Sequence, residues 1–255
     1  MPRPSSRLAA LLRSPLRSHW RSLLRVLLPS SCALCGAVQD AAVCAACSLA
    51  YAAGVRARCP CCANPSGPHD AGRRCGPCLA APPSFDATVA ACDYAAPLDG
   101  LVLGLKFGAR LALAPWMAER LRAAALDGAS GLAALPDLLC PVPLGPRRLV
   151  ERGYNQALEV ARPLGAGLGV PLAPRLVERL HDTRAQSGVA PGERRDNVRG
   201  AFALADDHPP LAGRHVGVVD DVMTSGHTLD ELAGVLKRAG ATRVTNFVFA
   251  RTPPH

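Results

Sequence analysis

The sequence predicts an α/β chain, a mostly parallel sheet flanked by helices and preceded by a small cysteine-rich module. Three observations carry that expectation. From about residue 81 onward, short apolar runs alternate with stretches of helical spacing, the pattern of a parallel sheet covered on both faces. Eight of the eleven cysteines crowd into four C-x-x-C pairs between residues 32 and 78. The 255 residues are 49% hydrophobic, enough to bury a sizeable core.

The first 30 residues form a separate arm. Arg3, Arg7, Arg13, Arg17, Arg21 and Arg25 fall there with no acid among them, so about two thirds of the +9 formal charge is local. Arg13, Arg17, Arg21 and Arg25 repeat every four positions and would stripe one face of a helix, after Pro15 limits how early it starts. Such an arm suits anionic lipid or nucleic acid, and equally a solvated helix packing its leucines on the cysteine-rich module. No run approaches the roughly 18 apolar residues of a membrane span, and the arginines interrupt any secretory core segment. The chain reads as cytoplasmic, with the arm admitting peripheral contact at the inner face of the membrane.

Residues 31–80 hold the cysteine pairs "CALC", "CAAC", "CPCC" and "CGPC". A C-x-x-C turn aims two thiolates at one metal, and two turns complete the four-sulfur shell that zinc prefers. In order, the pairs make two structural zinc sites: Cys32, Cys35, Cys44 and Cys47, then Cys59, Cys62, Cys75 and Cys78. Cys61 is an alternative to Cys62, and His69 reads as a loop residue. A disulfide scaffold would need an oxidising compartment to which the sequence offers no route. Metal would replace the core that so short a segment cannot build, so residues 32–78 should unfold without it. Cys92 and Cys140 lie in strand-like runs and read as small buried hydrophobes.

Beyond "APPSF", a linker that puts the domain boundary near residue 80, residues 81–255 read in order. "FDATVAACDY" is a strand. Leu98, Leu101, Val102 and Leu105 recur at helical spacing up to Lys106. "LALAPWMAERLRAAAL" continues as helix with a break near Pro115. "LLCPVPL" is a short strand, "YNQALEVARPLGAGLG" a helix and "RHVGVVDD" a buried strand. "TLDELAGVLKRAG" opens on a capping box of Thr228 and Glu231 and stops near Gly240. "RVTNFVFA" is the last strand.

In such sheets ligands bind beyond the carboxyl ends of the strands, where "VVDDVMTSGHT" puts Asp220 and Asp221. Adjacent carboxylates can bind metal, act as acid and base, or accept hydrogen bonds from the vicinal hydroxyls of a sugar, and the turn after them selects among these. In the turn that follows, Gly226 allows close backbone approach, Thr224, Ser225 and Thr228 offer hydroxyls, and the opening helix adds amide dipoles. A phosphate cradle beside a diol-binding pair describes a ribose 5-phosphate site.

This stretch resembles the signature of type I phosphoribosyltransferases, with Ser225 where Thr is commoner. "RRLVERGYNQA", "TRAQSGVAPGERRDNVRGAF" and "YAAPLDGLVLGLKF", together with the four C-x-x-C pairs, are similar to successive blocks of the ComF family of double-zinc-ribbon phosphoribosyltransferase-like proteins. The resemblance covers about residues 26–250.

It implies a type I phosphoribosyltransferase-like domain that binds phosphoribosyl pyrophosphate. Asp220 and Asp221 would hold the ribose and act at the reacting centre. Thr224, Ser225, Gly226, His227 and Thr228 would hold the 5-phosphate. Arg147 and Arg148 would face the pyrophosphate, whose charge suits guanidinium groups. A flap bearing Gln186, Arg194, Arg195 and Asn197 would cover the site and exclude water. Magnesium would accompany the donor, and Lys106 reads equally as a phosphate contact and as a solvated helix end.

The resemblance further implies a phosphoribosyltransferase of unidentified acceptor linked to competence and DNA uptake. Single-stranded DNA and DNA-uptake proteins at the inner membrane are the partners it suggests. A sensor of phosphoribosyl pyrophosphate without turnover, or a DNA-binding accessory factor, is the alternative. With 4% aromatic residues, DNA contact would be mainly electrostatic.

Overall fold

The computed structural model describes residues 30–51, 57–127, 132, 134–180 and 198–253. Residues 1–29 of the basic arm and the flap residues Gln186, Arg194, Arg195 and Asn197 lie outside the described residues. Two compact units divide the chain, one ending at Ser48 and the other beginning at Leu49.

In the first unit Cys32 opens a tight turn. The N–H of Gly36 bonds Cys32 O at 3.0 Å, and that of Cys32 bonds Ala37 O at 2.8 Å. Gly36 takes φ +76°, a conformation open to a residue without Cβ. Cys44 then leads into helix α1 (Ala45–Tyr51).

The second unit repeats that turn. Ala63 N–H bonds Cys59 O at 2.8 Å, Cys59 N–H bonds Asn64 O at 2.8 Å, and Cys75 precedes helix α2 (Gly76–Ala80). Ala63 stands where the first turn has a glycine and takes φ +56°, which costs a residue with a Cβ about 1 kcal/mol.

The same unit holds the sheet. Strands β1 (Ala87–Asp93), β2 (Leu138–Pro141), β5 (His215–Met223) and β6 (Arg243–Arg251) run parallel in the order β1-β6-β5-β2. Two short strands, β3 (Val177–Arg179) and β4 (Phe202–Leu204), pair antiparallel beside it. Helix α3 (Leu98–Phe107) buries Leu98, Leu101, Val102 and Leu105, the residues whose spacing predicts it. Helix α4 (Ala114–Leu126) carries Pro115 in its first turn. There the missing N–H is no loss, so the proline starts this helix rather than breaking it.

Helix α5 (Pro146–Arg152) is short, and α6 (Gln156–Leu168) and α7 (His227–Arg238) complete the set. Helices α4 and α6 pack on each other and on the sheet. Trp116 of α4 meets Phe249 of β6 edge-on, with centroids 5.9 Å apart. Leu229, Leu232 and Leu236 of α7 share a core with Val216, Val218, Val244 and Val248. Alternation along a strand therefore turns Val216 and Val218 toward α7, and Val219 toward the other face.

The capping box is not formed. Helix α7 begins at His227 with Gly226 as its N-cap, so Thr228 already lies inside the first turn. Glu231 instead accepts a hydrogen bond from Gly200 N–H at 3.0 Å. Among the described residues no helix is long and apolar enough to cross a membrane.

Candidate functional site

The sulfurs of Cys32, Cys35, Cys44 and Cys47 lie within 4.8 Å of one another, as do those of Cys59, Cys62, Cys75 and Cys78. The turns that bring them together also aim backbone N–H groups at sulfur: Cys44 N–H at Cys32 Sγ and Cys75 N–H at Cys59 Sγ, both 3.3 Å. Burial opposes ionisation of the Cys32 thiol, but hydrogen bonds from the backbone of Cys35, Cys44 and Leu34 bring it down to about 6. Cys59, with burial likewise against it and the backbone of Cys62, Cys75 and Cys61 for it, comes down to about 7. Four converging sulfurs with a ready thiolate among them are the donor set of a structural zinc site.

Cys61 is not grouped with them. Its Sγ lies 4.0 Å from Phe85 O, and the residue is buried in the α7-facing core together with Cys59, Cys62 and Cys78. Cys92 and Cys140 sit in β1 and β2, where burial pushes both thiols up to about 12; they are packing residues.

The acids stand where strand lengths are unequal. Pro141, the last residue of β2, pairs with Val219, so Asp220 and Asp221 run past the end of β2 on one side, while β6 still pairs with β5 on the other as far as Met223. Asp221 is buried, with 3% of its surface exposed, while Asp220 is half-buried. Lys106 Nζ, from the end of α3, lies 3.2 Å from Asp221 Oδ2. Gln156 Nε2 donates to Asp221 Oδ1 at 3.3 Å. The Asp221 N–H donates to Asp220 Oδ1 at 2.9 Å.

Two adjacent carboxylates, one buried and one half-buried, cannot both ionise freely. Burial, then the charge of Asp221, pushes Asp220 well above the usual carboxylate range. Burial acts on Asp221 in the same sense, yet Lys106, followed by hydrogen bonds from Asp220 and Gln156, holds it below that range. The two carboxyls are thus driven in opposite directions and titrate as a coupled pair.

"RGYNQA" builds the wall opposite. Gly153 ends α5 at φ +78°. Tyr154 donates its hydroxyl to Leu105 O, fixing the turn that carries Lys106. Asn155 caps α6 through Ala157 N–H at 3.0 Å and reaches back to Val142 O, also at 3.0 Å. Gln156, held by a donor from Arg152, presents its amide to Asp221. Tyr154 and Gln156 are functional candidates that residue-by-residue reasoning passes over, although their block is conspicuous in the sequence.

A cavity of about 200 Å³ opens here, lined by Lys106, Arg148 and Arg152 with Glu151, Phe107 and Tyr154. The Arg152 guanidinium stands 5.5 Å from the centroid of the Phe107 ring, within cation–π range. Arg148 is on the cavity wall, whereas Arg147 is exposed and is not among the lining residues.

Thr224, Ser225, Gly226, His227 and Thr228 follow β5 without interruption into α7. Gly226 takes φ +84°, and a Cβ there would come 2.6 Å from Met223 Cε. Only glycine lets the chain turn this closely into the helix.

The double zinc ribbon domain family matches residues 23–79, and the phosphoribosyl transferase domain family matches residues 156–254. The DNA utilization protein YhgH of Salmonella typhi is 36% identical over 232 residues, which cover 88% of this chain and 98% of that protein. The same protein of Escherichia coli K12 is 34% identical over 229 residues, with the same shares covered, 88% and 98%. Competence protein F of Haemophilus influenzae is 34% identical over 180 residues, 70% of this chain and 79% of that one. Among solved structures the likeness is loose: a purine phosphoribosyltransferase from Pyrococcus horikoshii is 20% identical, covers 51% of this chain and 70% of its own, and has a TM-score of 0.30.

Sheet, acids and paired cysteine clusters define a phosphoribosyltransferase-like domain joined to a double zinc ribbon. The chain belongs to the ComF family, that of the DNA utilization protein YhgH and competence protein F.

Proposed function

We propose that this protein binds phosphoribosyl pyrophosphate at the end of β5 and transfers its phosphoribosyl group to an acceptor connected with the use of incoming single-stranded DNA. The observation that supports it best is the division of labour in the acid pair. Asp221 is held as a carboxylate by Lys106. Burial, then the charge of Asp221, pushes Asp220 beside it well above the usual carboxylate range. Such a pair can accept one ribose hydroxyl and donate to another, and it keeps a negative charge where the ribosyl carbon gains positive character.

Thr224, Ser225, Gly226, His227 and Thr228 would then hold the 5-phosphate at the start of α7. Arg148, with Lys106 and Arg152 from the same cavity, suits the pyrophosphate; Arg147, exposed outside that cavity, would add charge from the solvent side. Magnesium on that pyrophosphate would offset the charge of the leaving group. As the bond from the ribosyl carbon to pyrophosphate breaks, that carbon bonds the acceptor, and the flap residues Gln186, Arg194, Arg195 and Asn197 would keep water from taking its place. The zinc ribbon would supply folding energy and a surface for partners, among them single-stranded DNA and DNA-uptake proteins at the inner membrane, with the protein in the cytoplasm. The double zinc ribbon and the names of the relatives support that setting.

The test is pyrophosphate release from the magnesium-loaded donor in the presence of single-stranded DNA and nucleobase acceptors. Release that disappears in Asp220→Ala/Asp221→Ala supports transfer. Tight donor binding with no release for any acceptor would point instead to a sensor that does not turn over.

A further inference from the structure

Arg251, the last residue of β6, is buried, with 5% of its surface exposed. Among the described residues no carboxylate pairs with it. Its guanidinium is met by carbonyls from two directions. Nε donates to Cys62 O at 2.8 Å, inside the second cysteine cluster. Nη1 donates to Met223 O at 3.0 Å and to Thr224 O, where β5 turns into residues 224–228, and also to Thr252 O. One planar cation thus clamps a cysteine turn to the first residues of the loop assigned to the 5-phosphate.

A buried guanidinium without a counter-ion is costly. Four thiolates around a divalent metal leave a net charge of about −2, and Cys62 is one of those four. The metal-loaded cluster therefore supplies the charge that Arg251 lacks. We infer that Arg251 is a positioning residue through which metal at the second cysteine cluster sets the geometry of loop 224–228. This inference rests on the phosphate reading of that loop.

Metal loss would free the Cys59 turn, remove both the Cys62 carbonyl and the neighbouring negative charge, and leave Arg251 holding the loop alone. Ligand and metal would then be linked. If metal at Cys59, Cys62, Cys75 and Cys78 favours phosphate binding, the bound phosphate must favour metal retention by the same factor.

The experiment compares the full-length, zinc-loaded protein with Arg251→Gln and Arg251→Lys, using ribose 5-phosphate and magnesium pyrophosphate as separate calorimetric probes. Loss of one or two charged hydrogen bonds predicts a fall of roughly tenfold in ribose 5-phosphate affinity for Arg251→Gln. A smaller fall is expected for Arg251→Lys, and pyrophosphate affinity should be unchanged in both. Zinc transfer to a chromogenic chelator should be slowed by ribose 5-phosphate in the wild type and be indifferent to it in Arg251→Gln. Should Arg251→Gln fail to fold, Arg251→Lys carries the same comparison. Wild-type binding of ribose 5-phosphate with equal affinity in the variants and ligand-independent zinc release would overturn the coupling alone. Absence of wild-type binding to either probe would remove the phosphate reading and the coupling together.

Discussion

Lys106 and Asp221 meet at 3.2 Å between the end of α3 and the end of β5, and the ammonium holds the buried carboxyl below the usual carboxylate range. Asp221 is buried, Lys106 is about a third exposed in its side chain, and burial, then the charge of Asp221, pushes the neighbouring Asp220 the other way.

Replacing Lys106 by Met should leave Asp221 a buried charge with no cation beside it and only the Gln156 amide against it. The loss is expected to be about 1 to 2 kcal/mol at neutral pH, less than for a fully enclosed pair because water still reaches the ammonium. Asp221 sits below its unfolded value, so the stability it brings is present above the ordinary aspartate range and fades as pH falls through the folded value. Urea melts from neutral to acid pH should show that fade in the wild type and a flatter profile in Lys106→Met.

Asp220 has the opposite sign. The unfolded chain gives up this proton in the ordinary aspartate range, while the folded protein keeps it to a higher pH. Between those two values the folded state binds more protons, so stability declines as pH rises. Asp220→Asn should remove the decline and raise unliganded stability at neutral pH by on the order of 1 kcal/mol, while weakening donor binding.

The cysteine clusters separate two neighbours in sequence. Cys62→Ser should lose one of the two metals, measured by zinc content, and broaden or lower the thermal transition of the sheet unit, because Cys59, Cys62 and Cys78 lie in its core. Cys61→Ser should keep both metals and lose only about 1 to 2 kcal/mol for a hydroxyl in an apolar site.

Gly226→Ala forces a left-handed residue and a methyl group against Met223 at 2.6 Å. Something must shift at the entrance to α7. The expected result is a stability loss of about 1 to 3 kcal/mol with a larger proportional loss of ribose 5-phosphate affinity, read by calorimetry on the folded fraction.

Much of this was legible in the sequence because its signals are local. The C-x-x-C spacing makes each cysteine turn by itself, and the apolar run before Asp220 and Asp221 makes its own strand. The helix of Leu98, Leu101, Val102 and Leu105 follows from periodicity alone. What local reasoning misjudged depends on distant partners. Thr228 and Glu231 have capping-box spacing, but Gly226 takes the cap position and Gly200 takes the Glu231 carboxylate. Lys106 at a helix end looks the same whether it faces water or Asp221, since that choice is made only when α3 folds over β5. Cys61 and Cys62 become distinct once the Cys59 turn closes at Ala63. Arg251 is one more arginine in the sequence, and its role appears only where two distant segments, at Cys62 and at Met223 and Thr224, converge on it.

Calorimetric titration of the full-length protein with the magnesium-loaded donor decides whether the end of β5 is a phosphoribosyl pyrophosphate site. Saturable binding to the wild type is expected, weakened at least tenfold in Asp220→Ala/Asp221→Ala. No binding at saturating donor, or undiminished binding in the double variant, would contradict it.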